Sequence, residues 1–518
     1  MKLLAIALLL AISILASGAQ AGSYRYTYVL DGDGGADVTI VFTSTQPGST
    51  WLLVPRGFTT WSLKPARGEV FNESLSEAAP IKFTFYQNLS FSYSPLDGGV
   101  EVAIEYRAPY AALIEEPRGL FYSTQVSVSQ LDDVRLEVKL PPGSGGDVKV
   151  YGALSYEVGG ADGRAWVRAE GPIEGGRLIV EFTLPSRQAR LIELRGGRFK
   201  VEAPSRYEAV ARRVLELYVK LYPSLRDVFN VELEEADVRL YVPSVEDVAR
   251  GVGGFIPFTG GKLGTINLNL FYVRAVEGTV EHIALHELIH HLLWRAGIQP
   301  SLLWVHEGLA EYLSIELGKK AGLSGPAGSR EQALSSVASQ LRSLGFIEGW
   351  SFNQPGDLTP YYAASYTVFK RLADSYGGLS LYSAFFNYTR ARAPVDDEGE
   401  VLKCLSLAAG ADLRPILAEW GFKEAGDQLT VELASIKEGL AQLPNWCQPA
   451  KLIARLAMEA AGMLAGAGLH DEALAATRVA KGLVANREVV SLLIYATLAA
   501  TLALSAARLK QPQPSRAA

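Results

Sequence analysis

Histidine and cysteine are scarce in this sequence. Among 518 residues there are six His and two Cys, and residues 22–195 contain neither. Their absence argues against a metal site or a disulfide in that part of the chain. The net charge is −6 without a basic cluster, which argues against nucleic-acid binding. Glycine is plentiful, but the segment 251–254 lacks the Lys-Ser/Thr pair that completes a phosphate-binding loop.

Four of the six histidines fall between residues 282 and 291, in an apolar run that nothing interrupts as a helix. Within it, His286, Glu287 and His290 form the pattern His-Glu-x-x-His. Residues i and i+4 share a helix face, so the imidazoles of His286 and His290 can point at one zinc ion. Glu287 can then take a proton from a zinc-bound water, as in zinc metalloproteases. The alternative is a helix that carries these histidines on a solvent-exposed face.

The third ligand is expected downstream, because catalytic zinc keeps three protein ligands and leaves a fourth position to water. Residues 303–312 predict a second helix that turns back onto the first, and Glu307 on it is the expected ligand. His306 is a rival, but on a helix it would point about 100° away from Glu307. Glu311 lies one turn further on and is expected to accept a hydrogen bond from a ligating histidine. The alternative for Glu311 is a solvated charge.

These motifs resemble those of the gluzincin metallopeptidases, in particular the peptidase MA-like group related to aminopeptidase N and thermolysin. The resemblance rests on the His-Glu-Leu-Ile-His stretch and on Trp304-Val-His-Glu-Gly-Leu-Ala, and it covers roughly residues 200–425. It implies that Glu307 is the third zinc ligand. It also implies that Tyr362, which opens a later helix, donates a hydrogen bond to the tetrahedral oxyanion. From the residues alone, Tyr362 and its neighbouring tyrosines could equally pack as core side chains.

One segment departs from the aminopeptidase pattern. In aminopeptidase N relatives, a Gly-x-Met-Glu-Asn segment precedes the zinc-binding helix, and its Glu grips the free amine of the substrate. The corresponding stretch here, residues 262–270, contains no acidic residue. Its alternation instead predicts an exposed edge strand near the zinc ion, which could pair with an extended peptide.

The order of patterns along the chain predicts a multidomain protein. Residues 1–21 have one basic residue, an apolar core and an Ala-x-Ala end, which predict a secretory signal peptide; the alternative is an uncleaved anchor. Short alternating or β-branched segments predict an all-β sandwich over 22–195. After a linker over 196–206, a mixture of strand and helix patterns predicts an α+β catalytic domain over 200–445. The resemblance makes this domain a thermolysin-like zincin.

The C-terminal part is predicted to be helical. Residues 446–488 predict a helical hairpin or stalk. Residues 489–507 carry no charge over a length that can cross a bilayer, and the basic tail over 508–518 fits a cytoplasmic end. A buried terminal helix is the alternative to this transmembrane helix. In an exported chain, Cys404 and Cys447 predict one disulfide, with two separate buried thiols as the alternative.

These features together predict an exported zinc metallopeptidase with one zinc ion per chain. A C-terminal helix would anchor it in the plasma membrane, with the catalytic domain outside the cell. Zinc lowers the pKa of bound water toward about 7, and Glu287 as general base would pass the proton to the leaving amine. The expected partners are a peptide or protein substrate and the membrane, and no nucleic acid.

Two other functions are compatible with the sequence. One is a non-catalytic surface protein that binds a partner and has a structural or vestigial zinc site. Glu287 argues against it, because a structural zinc site has no use for a general base. The other keeps the fold but hydrolyses a bond that is not a peptide bond.

Overall fold

The structure is a computed structural model that describes residues 22–509, except 57–60, 78–84, 127–132, 146, 174–175, 186–188, 352, 423–432, 434–435, 438 and 467–469. The predicted signal peptide and residues 510–518 lie outside the described residues. The described chain divides into two compact units. One contains the residues up to Arg342 together with Gly349–Asp397, and the other contains Ser343–Glu348 and the residues from Glu398 onward. The predicted domain bounds, 22–195 and 200–445, stay predictions.

The first part of the larger unit is built from strands. The described strands here are β1 (Ser23–Leu30), β2 (Ala36–Ser44), β3 (Gly48–Pro55), β4 (Trp61–Arg67), β5 (Glu69–Glu77), β6 (Tyr86–Ser94), β7 (Val100–Ala108), β8 (Ala112–Glu115), β9 (Arg118–Tyr122), β10 (Asp133–Lys139), β11 (Lys149–Tyr151), β12 (Ala153–Ala161), β13 (Arg164–Ile173) and β14 (Ile179–Thr183). They form a seven-stranded sheet (β12-β13-β10-β1-β2-β7-β4), a four-stranded sheet (β11-β14-β9-β8) and a three-stranded sheet (β3-β6-β5).

Strand β1 shows why these segments form sheets with a buried face. It lies in the middle of the largest sheet, parallel to β10 and antiparallel to β2. Successive side chains of a strand point to opposite faces, so Tyr24, Tyr26 and Tyr28 are all buried while Arg25 between them is exposed. The predicted β-rich N-terminal region is confirmed.

A further sheet, with five strands, follows in the order β15-β16-β17-β21-β18. The strands of this part are β15 (Leu191–Gly196), β16 (Phe199–Pro204), β17 (Ala236–Tyr241), β18 (Gly254–Phe255), β19 (Phe258–Thr259), β20 (Lys262–Leu263) and β21 (Ile266–Asn269). Strands β19 and β20 pair only with each other among the described strands.

Two sequence predictions about this sheet are wrong. The predicted linker over 196–206 lies largely in a hairpin, in which β15 and β16 pair across a turn at Gly197 and Arg198. Gly197 has a φ of 56°, a left-handed conformation that glycine adopts without strain, so the glycines mark a tight turn. The predicted edge strand over 262–270 is also wrong in its larger part. Strand β21 lies inside the sheet, parallel to β17 and antiparallel to β18, so β18 is the edge strand.

Helices make up most of the rest of the larger unit. They are α1 (Glu208–Phe229), α2 (Val245–Arg250), α3 (Thr279–Arg295), α4 (Leu303–Ala321), α5 (Ser324–Ala338), α6 (Thr359–Tyr376) and α7 (Leu379–Ala391). The helices expected around the His-Glu-x-x-His pattern, around Glu307 and after Tyr362 are confirmed as α3, α4 and α6. Helix α3 is buried on most of its surface, including several of its polar side chains.

The smaller unit is helical, with α8 (Glu398–Ala409), α9 (Arg414–Glu419), α10 (Gln448–Gly466), α11 (His470–Ala485) and α12 (Arg487–Leu509). Helices α10 and α11 pack on each other through small side chains such as Ala454 and Ala480, which are fully buried. The region after the strands is therefore mainly helical.

Two expectations about the smaller unit have outcomes in the structure. The expected disulfide is not formed: Cys404 and Cys447 are both buried and are not joined. In the described part of the chain, no single helix has the length and hydropathy needed to cross a membrane. The helical segments Glu472–Ala485 and Arg487–Thr501 meet these criteria only as a pair, which is bent by 83°.

Candidate metal centre and active site

Helix α3 carries the His-Glu-x-x-His pattern and is fixed from the side of α1. Tyr218 on α1 donates a hydrogen bond from its hydroxyl to the carbonyl oxygen of Ala284, at 2.7 Å. Leu285 and Leu288 on α3 are fully buried. His286 and His290, one turn apart, remain partly accessible, with side chains 13% exposed. The apolar residues of α3 therefore fix the helix, while His286 and His290 stay partly exposed.

Helix α4 brings Glu307 to the same place, and Gly308 makes its close packing possible. The ring of Trp304 stacks on Phe369 of α6, with centroids 5.5 Å apart. A Cβ atom on Gly308 would lie 2.5 Å from the Phe369 ring and 2.8 Å from the carbonyl oxygen of Ser365. Only glycine allows α4 and α6 to approach this closely, which explains the Glu-Gly pair in the motif.

The ligand atoms of His286, His290 and Glu307 form a small triangle. The distance from His286 Nε2 to His290 Nε2 is 3.1 Å, and that from His286 Nε2 to Glu307 Oε2 is 3.2 Å. The third side, from His290 Nε2 to Glu307 Oε2, is 3.6 Å. Donors about 2.0–2.1 Å from a tetrahedral zinc ion lie about 3.3 Å from one another. The three side chains therefore fit a zinc ion without rearrangement, and no other such group of His, Cys, Asp and Glu is found among the described residues.

The charges of the triangle suit a cation. Burial by itself would lower the pKa of the His286 imidazole, but the hydrogen bond to Glu307 and the charges of Glu311 and Glu307 raise it to about 9. Burial would raise the pKa of Glu307, yet the two histidines hold it well below its usual range. The carboxylate is therefore ionised and shares a proton with an imidazole. A metal ion bound here would displace that proton, because ligating imidazoles are neutral.

Glu287 lies beside the triangle and has a different environment. Its side chain is buried, and burial raises its pKa although the nearby His290 and His286 oppose the shift. The backbone of β18 lies directly against it: a Cβ atom on Gly254 would stand 2.7 Å from Glu287 Oε1. Sequence reasoning missed Gly254, which was considered only as part of a phosphate loop. The carboxylate is held between its own helix and the edge strand.

Glu311 does not have the partner that was expected. It is buried, and its carboxylate oxygens accept hydrogen bonds from Arg330 Nε at 3.0 and 3.1 Å and a further one from the same guanidinium. No hydrogen bond joins Glu311 to a ligating histidine in the described structure. Arg330, from α5, also lies over the ring of Tyr362, 5.8 Å from its centre. Glu311 therefore holds an arginine at the metal centre instead of orienting a ligand.

The three tyrosines at the start of α6 have distinct surroundings. Tyr366 donates its hydroxyl to Glu331 Oε1, at 2.9 Å, and Tyr361 packs on Trp350. Burial raises the pKa of Tyr362 well above its usual value, and the charges of Glu307 and Glu311 add to the effect. Tyr362 is thus close enough to Glu307 and Glu311 to feel their charges. Its role as an oxyanion donor stays a prediction.

His306, which the sequence presents as a rival ligand, lies outside the triangle. Its side chain is buried, and its Nδ1 lies 3.3 Å from Nδ1 of His290. The other ring nitrogen of His290, Nε2, is the one in the triangle. Burial and the neighbouring His290 lower the pKa of His306 to about 3. It is therefore a neutral imidazole next to a ligand, and spacing on a helix could not reveal that contact.

No protein-family description matches this sequence, and no curated protein matches it either. Solved structures that are similar to it include an aminopeptidase N family protein from Idiomarina loihiensis, with a TM-score of 0.33 and 12% sequence identity. That match covers 78% of this chain and 76% of the other. The similarity is too low to carry an argument about the site, which therefore rests on this chain's own residues.

Proposed function

We propose that this protein is a zinc-dependent peptidase with one zinc ion held by His286, His290 and Glu307. The observation that carries the proposal is the triangle of ligand atoms, with sides of 3.1, 3.2 and 3.6 Å, beside a buried carboxylate. Two imidazoles and one carboxylate leave one tetrahedral position for water, as in catalytic zinc sites. The buried Glu287 supports a catalytic site over a structural one, because a structural site has no need of it.

Glu287 is the proposed general base. When bound, zinc supplies a Lewis acid that acidifies water and polarises the substrate carbonyl. The Glu287 carboxylate takes a proton from the attacking water at one oxygen and gives it to the nitrogen of the leaving amine. Burial raises its pKa, which makes the carboxylate a stronger proton acceptor than an exposed glutamate. Tyr362 is the proposed donor to the oxyanion.

The proposed substrate is an extended peptide that pairs with strand β18. This strand is one edge of its sheet and lies against Glu287, so a peptide paired with it would lie next to the proposed base. The whole stretch 251–270 contains no acidic residue that could bind a free amino terminus. Endopeptidase activity is therefore a better fit to this segment than aminopeptidase activity.

Export and membrane anchoring are part of the same proposal. The apolar segment 1–21 with its Ala-x-Ala end supports export. The uncharged run 489–507, followed by basic residues, supports a C-terminal membrane anchor that leaves the catalytic part outside the cell. Large apolar side chains of α12 are exposed, among them Val489, Leu492 and Leu493 at 60–63%. Exposed apolar surface of this kind is typical of a segment that meets a membrane or a partner.

The test is cleavage-site profiling with a peptide library, combined with elemental analysis. Wild type should contain about one zinc ion per chain and cleave internal bonds. The Glu287→Gln variant should keep zinc and lose activity by about 10³-fold or more, because both proton transfers are removed. A zinc-containing wild type without peptidase activity would favour the non-catalytic alternative. Activity within tenfold of wild type in Glu287→Gln would mean that another residue is the base.

A further inference from the structure

We propose that His306 is a positioning residue for the metal centre, which fixes the tautomer and orientation of His290 by accepting its Nδ1 proton. The backbone carbonyl of Ile298 in turn fixes the tautomer of His306. This inference rests on the proposed function only in taking His290 as a ligand. It assigns a role to a residue that the sequence suggests only as a competing ligand.

The two imidazoles meet edge to edge. His290 Nδ1 and His306 Nδ1 are 3.3 Å apart, the ring planes differ by 16°, and the ring centres are 5.6 Å apart. A five-membered ring with bonds of about 1.33 Å has its atoms about 1.1 Å from its centre. Adding that radius at each end to the nitrogen–nitrogen distance gives about 5.5 Å. The line between the nitrogens therefore runs through both ring centres, in the plane of both rings, as a linear hydrogen bond requires.

The direction of this hydrogen bond follows from the other end of His306. His306 Nε2 lies 3.1 Å from the carbonyl oxygen of Ile298. A carbonyl oxygen only accepts, so Nε2 carries the proton and Nδ1 of the neutral ring carries a lone pair. His290 must then donate from Nδ1, which leaves the lone pair of its Nε2 free toward His286 and Glu307. This is the tautomer that a metal ligand needs.

A doubly protonated His306 would reverse the arrangement. His290 would then have to accept at Nδ1, and its own proton would sit on Nε2, where the metal ion should be. His306 is only 3% exposed, and burial in a low-dielectric interior disfavours the charged ring. For neutral rings, the two contacts therefore fix one tautomer of His306 and one of His290.

The Ile298 carbonyl, which accepts the hydrogen bond from His306, lies in a peptide segment that is fixed by contacts from a distant part of the sequence. The backbone N–H of Gln299 donates to the carbonyl of Val395, and the N–H of Val395 donates to the carbonyl of Gly297, at 2.9 and 2.8 Å. Gly297 has a φ of 92°, and a Cβ atom there would lie 2.6 Å from Ala393 Cβ. The peptide between the two zinc-binding helices is therefore clamped, and Ile298 presents its carbonyl from a rigid support.

Zinc affinity, measured by competition with a chromogenic chelator, tests the proposal without an activity assay. His306→Leu keeps an apolar side chain in the buried site but removes the acceptor, and should weaken zinc binding about 10–100-fold. His306→Asn keeps an acceptor oxygen near the position of Nδ1 and should show a clearly smaller loss. His282→Leu is the matched control: it removes a different buried histidine, on α3, whose Nε2 has no hydrogen-bond partner in the described structure. Its affinity should stay within about threefold of wild type.

Nitrogen NMR of the histidine side chains supplies a second measurement, which reads the tautomers in the wild-type protein itself. Protein labelled with ¹⁵N-histidine contains six side chains, and assignment by single substitution is practical. We expect His306 to carry its proton on Nε2, and His290 to carry its proton on Nδ1 in the zinc-loaded protein. A His306 proton on Nδ1, or equal zinc affinity in His306→Leu and wild type, would overturn the proposal while leaving the zinc site intact. Failure of the wild type to bind zinc would instead overturn the proposed function.

Discussion

The contact between Gly254 and Glu287 makes a sharp prediction about catalysis. The edge strand β18 lies so close to the proposed base that a Cβ atom on Gly254 would stand 2.7 Å from Oε1, 2.8 Å from Cγ and 2.9 Å from Cδ of Glu287. Ordinary van der Waals contact begins at about 3.5 Å between carbon atoms. A Gly254→Ala substitution must therefore move the strand or the carboxylate by about 0.7 Å.

The size of the effect follows from that displacement. A misplacement of about 1 Å at a reacting group can cost about 10²-fold in rate, so we expect kcat/KM to fall about 10–100-fold. That corresponds to about 1.4–2.7 kcal/mol of lost transition-state stabilisation. The three nearest atoms to the new methyl group all belong to Glu287 and none to a zinc ligand. Zinc affinity should therefore stay close to that of wild type.

The assay uses a fluorogenic peptide chosen from the cleavage profile, together with the zinc competition measurement. Gly253→Ala is the matched control, because its nearest neighbours are the side-chain atoms of Ile283 at 3.1–3.5 Å, which can yield. Its kcat/KM should change less than about threefold. Equal losses in the two variants, or a Gly254→Ala enzyme as active as wild type, would refute the view that β18 positions the general base.

Three further predictions concern the surrounding residues and the C-terminal helix. Tyr362→Phe should lower kcat about 10²–10³-fold with little change in KM. Tyr366→Phe is the control and should leave kcat near wild type, because the Tyr366 hydroxyl is hydrogen-bonded to Glu331. Equal effects of the two substitutions would contradict the assignment of Tyr362. Glu311→Gln should lower the free energy of unfolding by about 2 kcal/mol in chemical denaturation, because Arg330 loses its carboxylate partner. A large loss of zinc affinity in this variant would instead show that Glu311 orients a zinc ligand. Truncation before Val489 should move the protein from the membrane fraction to the soluble fraction of the cell exterior, and a full-length chain that is already soluble would contradict the anchor.

Local periodicity was sufficient for much of the site. The four-residue spacing of His286 and His290 places both imidazoles on one face of any helix, so the pair needed no knowledge of the fold. The apolar run around them and the alternation in the N-terminal strands follow from the same kind of rule. Glu307 was within reach of the sequence too, since its motif resembles a known one and its helix follows soon after α3.

The role of His306 could not be read from the sequence, because helical spacing only says that it points away from Glu307. Its contact with His290 depends on how α4 packs against α3 and on a carbonyl held by a segment about ninety residues further along, a long-range contact that no spacing rule encodes. Arg330 is the same kind of case: it reaches Glu311 from a separate helix and occupies the carboxylate that sequence reasoning had given to a ligand.

The strand order of the five-stranded sheet depends on which strands pair with each other, and sequence patterns do not specify that pairing. Alternation in residues 262–270 suggested a strand, and β21 covers residues 266–269 of that stretch. Whether a strand is internal or at an edge depends on which neighbouring strands bond to it. Here the short strand β18 covers β21, and the glycine that permits β18 to lie on Glu287 carries no local signal of that function. The geometry of one helix determined that His286 and His290 share a face; the packing of distant segments decided which side chains contact this pair and which strand lies against Glu287.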